Sequence, residues 1–107
     1  MDKELATHAA DVLKAVAHPL RLQIVEVLQD GERSVGEIMD ALGEKQAITS
    51  QQLNLMKDRG VLASRREGAK VFYRIQNPNV IRVLNCVYDH CEPSKRTTKM
   101  NGSIARP

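Results

Sequence analysis

Apolar positions in residues 3–16 fall at Leu5, Ala9, Val12, Leu13 and Val16, a helical spacing that predicts an amphipathic first helix. Asp2 and Glu4 stand near its positive N-terminal end. His18-Pro19 breaks the pattern and restarts it, because proline suits a first helical turn where its missing N–H costs nothing. Leu20, Leu22, Ile24, Val25, Val27 and Leu28 then run apolar nearly all round, which predicts a buried central helix. Asp30-Gly31 closes it, with the glycine free to take a left-handed cap. Ser34-Val35-Gly36-Glu37 reads as a capping box, a hydroxyl at the cap and a carboxylate three residues on. Val35, Ile38, Met39 and Leu42 form the stripe of a short third helix, which Gly43 stops.

Residues Lys45 to Arg59 predict a fourth helix with a divided face. Ile48, Leu53 and Met56, helped by Leu55, are expected inside; Gln46, Ser50, Gln51, Asn54 and Lys57 are expected outside. The outer face is rich in amides and hydroxyls and has no acid. Gln and Asn donate and accept together, which suits base edges in a DNA major groove, although any solvated helix is also polar outside. Two short helices joined by a glycine-containing turn make a helix-turn-helix. Gly60 closes the helix. From Val61 to Ile75 the alternation around Val71, Tyr73 and Ile75, with a turn at Glu67-Gly68-Ala69 before it, predicts a two-stranded hairpin with a basic rim, a wing. Asn77-Pro78 starts a last helix. Its Val80, Ile81, Val83, Leu84, Val87 and Tyr88 make two adjacent apolar faces, suited to a partner subunit, together with the first helix, or to the chain's own core. The final EPSKRTTKMNGSIARP has no periodicity and reads as a disordered basic tail. The expected organisation is one domain over residues 1–91 and a tail over 92–107.

Charge sharpens this picture. The net formal charge is only +3, but residues 1–44 carry four basic side chains against nine acids, a balance of −5. Residues 45–74 carry seven against two, a balance of +5. Clustered basic charge is the footprint of a polyanionic partner, or a chance segregation on a dipolar protein. Only Phe72, Tyr73 and Tyr88 are aromatic, so the core is aliphatic. No apolar run approaches the ~18 residues of a membrane span. The polar N-terminus, MDKELATHAA, does not read as a signal peptide, so a cytoplasmic protein with no membrane contact is expected.

Four motifs in order resemble the ArsR/SmtB family of dimeric winged-helix repressors of bacteria. Ala17-His18-Pro19-Leu20-Arg21-Leu22-Gln23-Ile24 is similar to the family's opening of the second helix. Ser34-Val35-Gly36-Glu37-Ile38 sits where its third helix begins. Ser50 through Leu62, SQQLNLMKDRGVL, is similar to its recognition helix and exit. Arg65 through Ile75, RREGAKVFYRI, is similar to its wing. The resemblance covers about residues 5–91. It departs at Gln51-Gln52, which replaces the common His pair, and at Ala47-Ile48-Thr49. It implies a mostly α fold with a small β-hairpin, in the order α-α-α-α-β-β-α, and a dimer formed by the first and last helices.

Members of this family release DNA on binding a metal or small effector, or when a thiol is modified. The metalloid motif's two cysteine slots hold Ser34 and Gly36 here. The zinc-type motif at the start of the last helix is replaced by Gln76-Asn77-Pro78-Asn79. Cys86 and Cys91 remain, with His90 between them. Sulfur and imidazole suit zinc, copper(I) or trivalent arsenic. Five residues along an unbroken helix is an offset of about 140°, with Cα atoms beyond the ~7 Å reach of a disulfide. The resemblance places Cys91 at the last-helix position of the family's thiol-sensing branch, whose second-helix cysteine position holds Glu26. Three readings stand side by side: reversible thiol oxidation or persulfide sensing, soft metal or metalloid binding, and plain packing.

The functional expectation is a sequence-specific homodimeric repressor bound to a palindromic operator with half-sites about one helical turn, or a multiple, apart. Gln46, Ser50, Gln51 and Asn54 are the expected base contacts. Lys45, Lys57, Arg65, Arg66 and Lys70 are the expected phosphate contacts, and Thr49 belongs to the same DNA-binding set. No cofactor is required; a soft metal or metalloid is a candidate effector. The rival from another class is a winged-helix docking module, against which the charge split argues. No nucleophile–base constellation, paired carboxylates or phosphate-cradling glycine loop is present, so an enzyme is not expected.

Overall fold

The computed structural model describes residues 1–90. Eight elements follow in order: α1 (Lys3–Val16), α2 (Pro19–Leu28), β1 (Arg33–Ser34), α3 (Val35–Leu42), α4 (Gln46–Asp58), β2 (Leu62–Glu67), β3 (Lys70–Ile75) and α5 (Asn79–His90). The expected tail, and Cys91 with it, lies outside the described residues.

The helix starts follow from local chemistry. Asp2 Oδ1 accepts from the Leu5 N–H at 2.7 Å and opens α1. His18 Nδ1 accepts from the Leu20 N–H at 3.1 Å, so this histidine is the N-cap of α2 and Pro19 takes the first turn. The capping box of α3 forms in both directions, Ser34 Oγ accepting from the Glu37 N–H at 3.1 Å and Glu37 Oε1 from the Ser34 N–H at 2.8 Å. That bond holds the Glu37 carboxyl below its ordinary range. Gly43 ends α3 at φ 65, a conformation only glycine adopts freely, and turns the chain into α4. The exit of α2 differs from expectation. Gln29 caps it in the right-handed region, and Gly31, at φ 144, follows two residues later.

α2 is the hub, as its all-round apolar pattern requires. Leu20, Ile24, Val25 and Leu28 are buried, and the helix touches α1, α3, α4, α5 and β3. A fully buried side chain such as Ile24 contributes roughly 1.5–3 kcal/mol by leaving water. α1 delivers only its C-terminal end, Ala15 and Val16, to this core. Leu5 and Leu13 remain 52% and 53% exposed. α5 adds Val80 and Leu84 to the core and leaves Tyr88 45% exposed.

The sheet has three strands, not the two expected. Its order is β1-β3-β2, antiparallel throughout, with Arg33 opposite Tyr73 and Ser34 opposite Phe72. The added strand has two residues, too short for any alternation to reveal it. Its cause is the cap itself. Ser34 must be extended, at φ −75 and ψ 161, to cap α3, and an extended segment beside β3 completes the sheet edge.

Candidate nucleic-acid interface

α4 buries Thr49, Leu53 and Met56, positions spaced four and three apart along one stripe. Two expectations are corrected here. Ile48 is 42% exposed, because it lies five residues before Leu53, off that stripe. Thr49, expected in the DNA-binding set, is 0% exposed and its Oγ1 has no hydrogen-bond partner. It faces the core rather than a ligand.

The remaining outer face is laid out as the pattern predicts. Gln46, Gln51, Asn54 and Lys57 are exposed and Ser50 is half-buried, with Lys45 exposed at the helix start. Lys45 is the N-cap of α4 and gives it no side-chain hydrogen bond. Gln52 has another task. Its Oε1 accepts from Arg21 Nε at 2.8 Å, while Arg21 Nη1 donates to the Lys14 carbonyl at 3.0 Å. One guanidinium thus ties α1, α2 and α4 together.

The hairpin sorts its charges by face, since cross-strand partners lie on the same side. Leu62 pairs with Ile75, Ser64 with Tyr73 and Arg66 with Val71 on one face; Ala63 pairs with Arg74, Arg65 with Phe72 and Glu67 with Lys70 on the other. The first face carries the buried Tyr73, whose hydroxyl donates to Asn54 Oδ1 of α4 at 3.1 Å. Burial, and then the charge of Asp58, pushes the Tyr73 phenol up. Arg66 is therefore on the α4 side.

Arg65 is on the opposite side and is already engaged. Its Nε and Nη2 donate to both oxygens of Glu32 at 2.9 and 2.7 Å, its Nη1 lies 3.4 Å from Glu67, and its guanidinium sits 4.6 Å from the Phe72 ring centroid. The paired hydrogen bonds hold the Glu32 carboxyl below its ordinary range and raise Arg65. Arg65 thus braces the wing against the loop before β1, a placement at odds with a free phosphate contact. Arg66 and Lys70 are exposed, and neither forms an ion pair among the described residues.

The expected sensing residues divide. Cys86 is an exposed free thiol on α5, and His90 is exposed in the helix's last turn. Arg82 and His90 stand four residues to either side of Cys86 and share its face. Glu26, at the position the resemblance gives to a second-helix thiol, accepts a hydrogen bond from the Tyr88 hydroxyl. That bond raises the Tyr88 phenol. Among the described residues no three His, Cys, Asp or Glu side chains cluster as a metal site would need. No helix among them is long and apolar enough to cross a membrane.

Fold and surface together define a winged helix-turn-helix regulator. Residues 18–64 match the model of the bacterial regulatory protein, arsR family. The chain is 37% identical over 91 residues to the biofilm growth-associated repressor of Agrobacterium fabrum, covering 84% of this chain and 78% of that protein. Among solved structures it is similar to reduced HlyU from Vibrio cholerae, with 32% identity, a TM-score of 0.76 and coverage of 84% of this chain and 96% of that one. It is also similar to the homodimeric winged helix-turn-helix DNA-binding domain of a possible ArsR-family regulator from Mycobacterium bovis, with 31% identity, a TM-score of 0.70 and coverage of 95% and 92%. The chain belongs to the ArsR family and is a transcriptional repressor of the ArsR/SmtB type.

Four positioning residues were not singled out by sequence reasoning: Arg21, Glu32, Gln52 and Tyr73. Each acts on a partner 19 to 33 residues away, so no local spacing signals it.

Proposed function

We propose that the protein is a homodimeric repressor that reads a palindromic operator with α4 and grips its backbone with the wing. The observation that carries this reading is the row of exposed amides and lysines along α4, with the exposed Arg66 of the wing on the same side. Gln46, Ser50, Gln51 and Asn54 would meet base edges, and Lys45, Lys57, Arg66 and Lys70 would meet phosphates. Leu5, Leu13 and Tyr88, exposed on α1 and α5, support a dimer built from the first and last helices. The homodimeric Mycobacterium bovis neighbour supports the same assembly.

The release signal we propose is thiol-directed, an oxidant or persulfide acting at Cys86 and Cys91. The exposure of the Cys86 thiol on α5 supports it, since a reagent in solution can reach the sulfur. With Glu26 occupied by Tyr88, the reaction would not run through a thiol on α2. A soft metal on the same sulfurs is the second reading, and it needs ligands beyond the described residues.

The test is a gel shift on the upstream promoter over a salt series. Gln51→Ala should relax sequence choice by about 1–3 kcal/mol if it makes a two-point base contact. Arg66→Ala should weaken binding to all duplexes and flatten the salt slope by about one. Identical behaviour of the two variants would sink the assignment. Reductant, oxidant, persulfide, zinc and arsenite arms, repeated with Cys86→Ser and Cys91→Ser, decide the signal. Equal release in wild type and both mutants removes the cysteines from sensing.

A further inference from the structure

We infer that Ile48 makes thymine part of the operator sequence, by packing against the 5-methyl group that thymine alone among the four bases presents in the major groove. The inference rests on α4 reading DNA, as proposed above, and deepens it from polar contacts to one named base. Five large hydrophobic side chains are exposed among the described residues: Met1, Leu5, Leu13, Ile48 and Tyr88. Four of them stand on α1, just before it, or on α5, the helices proposed to form the dimer. Ile48 is the one on α4, where that dimer does not account for it. It is 42% exposed and cannot turn inward. Thr49, the next residue, holds the buried stripe with Leu53 and Met56, and one residue along a helix is a rotation of about 100°.

The residues around Ile48 say what would cover it. It lies in the first turn of α4, and the N-terminal residues of a recognition helix are those that contact base edges. Gln46 and Ala47 precede it and Gln51 stands three residues on, all exposed, so Ile48 and Gln51 are surface neighbours one turn apart. Ala47 carries only a methyl and does not hold the helix off the bases. A β-branched side chain in a helix keeps essentially one χ1 rotamer, so the methyls of Ile48 are already set in direction and lose little freedom on contact. Thymine supplies the complementary apolar surface, whereas adenine, guanine and cytosine present only polar groups there. Hiding one methyl-sized group from water is worth about fourfold in affinity for each half-site. Side chains three apart on a helix have Cβ atoms about 5–6 Å apart, and bases rise about 3.4 Å per step. The thymine therefore lies within about two base pairs of the base that Gln51 meets.

Binding-site selection from a randomised duplex pool with the full chain, followed by replacement of each enriched thymidine with deoxyuridine, tests this. Deoxyuridine removes the 5-methyl and leaves every hydrogen-bonding group in place. In wild type, replacing one symmetric thymidine in each half-site should cost about fourfold per half-site. That position should lie within about two base pairs of the one that Gln51→Ala relaxes. Ile48→Ala should bind the thymidine operator about fourfold more weakly per half-site and should not respond to the replacement. Ile48→Val keeps the branched shape and should retain the response. Ile48 is exposed, so thermal unfolding of Ile48→Ala should match wild type, which separates lost contact from lost folding. Indifference of wild type to deoxyuridine at every enriched thymidine would overturn the inference. So would a response that persists in Ile48→Ala. An equal loss by Ile48→Ala on thymidine, deoxyuridine and random duplexes would also overturn it, and would seat Ile48 on the sugar–phosphate backbone. If wild type enriches no sequence at all, the operator-reading proposal itself fails.

Discussion

Thr49 offers a sharp test because its two possible roles predict opposite results. Its side chain is fully buried on α4 and its Oγ1 has no hydrogen-bond partner. A buried hydroxyl left without a partner costs about 1–3 kcal/mol in desolvation. Valine has the same branched shape, similar helix propensity and no such cost. Thr49→Val should therefore stabilise the protein by about 1 kcal/mol, taking the low end because the core relaxes around the new methyl. In a domain of this size that shifts Tm by roughly 4–8 °C. Operator affinity should not change, since the hydroxyl reaches no ligand. The measurements are thermal and urea unfolding at one fixed protein concentration, which a dimer requires, and a gel shift in the same buffer. Destabilisation would mean that Oγ1 holds a bond. A folded variant that no longer binds DNA would return Thr49 to the interface.

Leu53→Ala, which empties the fully buried centre of the α4 stripe, should cost about 2–5 kcal/mol and be read by urea unfolding. The Arg65–Glu32 brace predicts that Arg65→Glu weakens DNA binding and that adding Glu32→Arg restores it. Arg65→Gln should leave the salt slope of binding unchanged, and a slope falling by about one would place Arg65 on a phosphate instead. Acid should loosen the wing and the start of α3 together. Glu32 and Glu37 are both held below their ordinary value of 4.5, so their stabilising contribution is complete above that value and is lost as pH falls through the lowered ones. An acid titration followed by backbone NMR at Arg65 and Ser34 reads this, and movement of those signals well above pH 4.5 would contradict it.

The surface proposed to hold DNA and the thiol proposed to release it lie on different elements. The cations of residues 45–74 are carried by α4 and by both faces of the hairpin, while five of the nine acids of residues 1–44 lie on α1, α2 and α3. Such a division orients the molecule toward a polyanion before contact, and it weakens as salt rises. Cys86 sits on α5, outside that surface, so chemistry at the thiol would reach DNA by changing how the helices are held.

Helix order, the starts of α1, α2 and α3, the turn before α4 and the position of the wing were legible in the residues. They rest on local physics: a capping side chain close to its amide, a proline in a first turn, a glycine at a left-handed exit, and the spacing of apolar residues along each helix. The polar face of α4 was legible for the same reason, except where apolarity was weighed above spacing. Ile48 is the more hydrophobic residue, but Thr49 is in phase with Leu53 and Met56, and phase decides what is buried. What only the tertiary structure decided is pairing at a distance. Arg65 and Arg66 are neighbours with the same side chain, yet strand alternation sends one to Glu32 and leaves the other free. The two-residue β1 forms because β3 is beside it. Asn54 is tied to the wing because Tyr73, nineteen positions later, comes to lie within 3.1 Å of its oxygen.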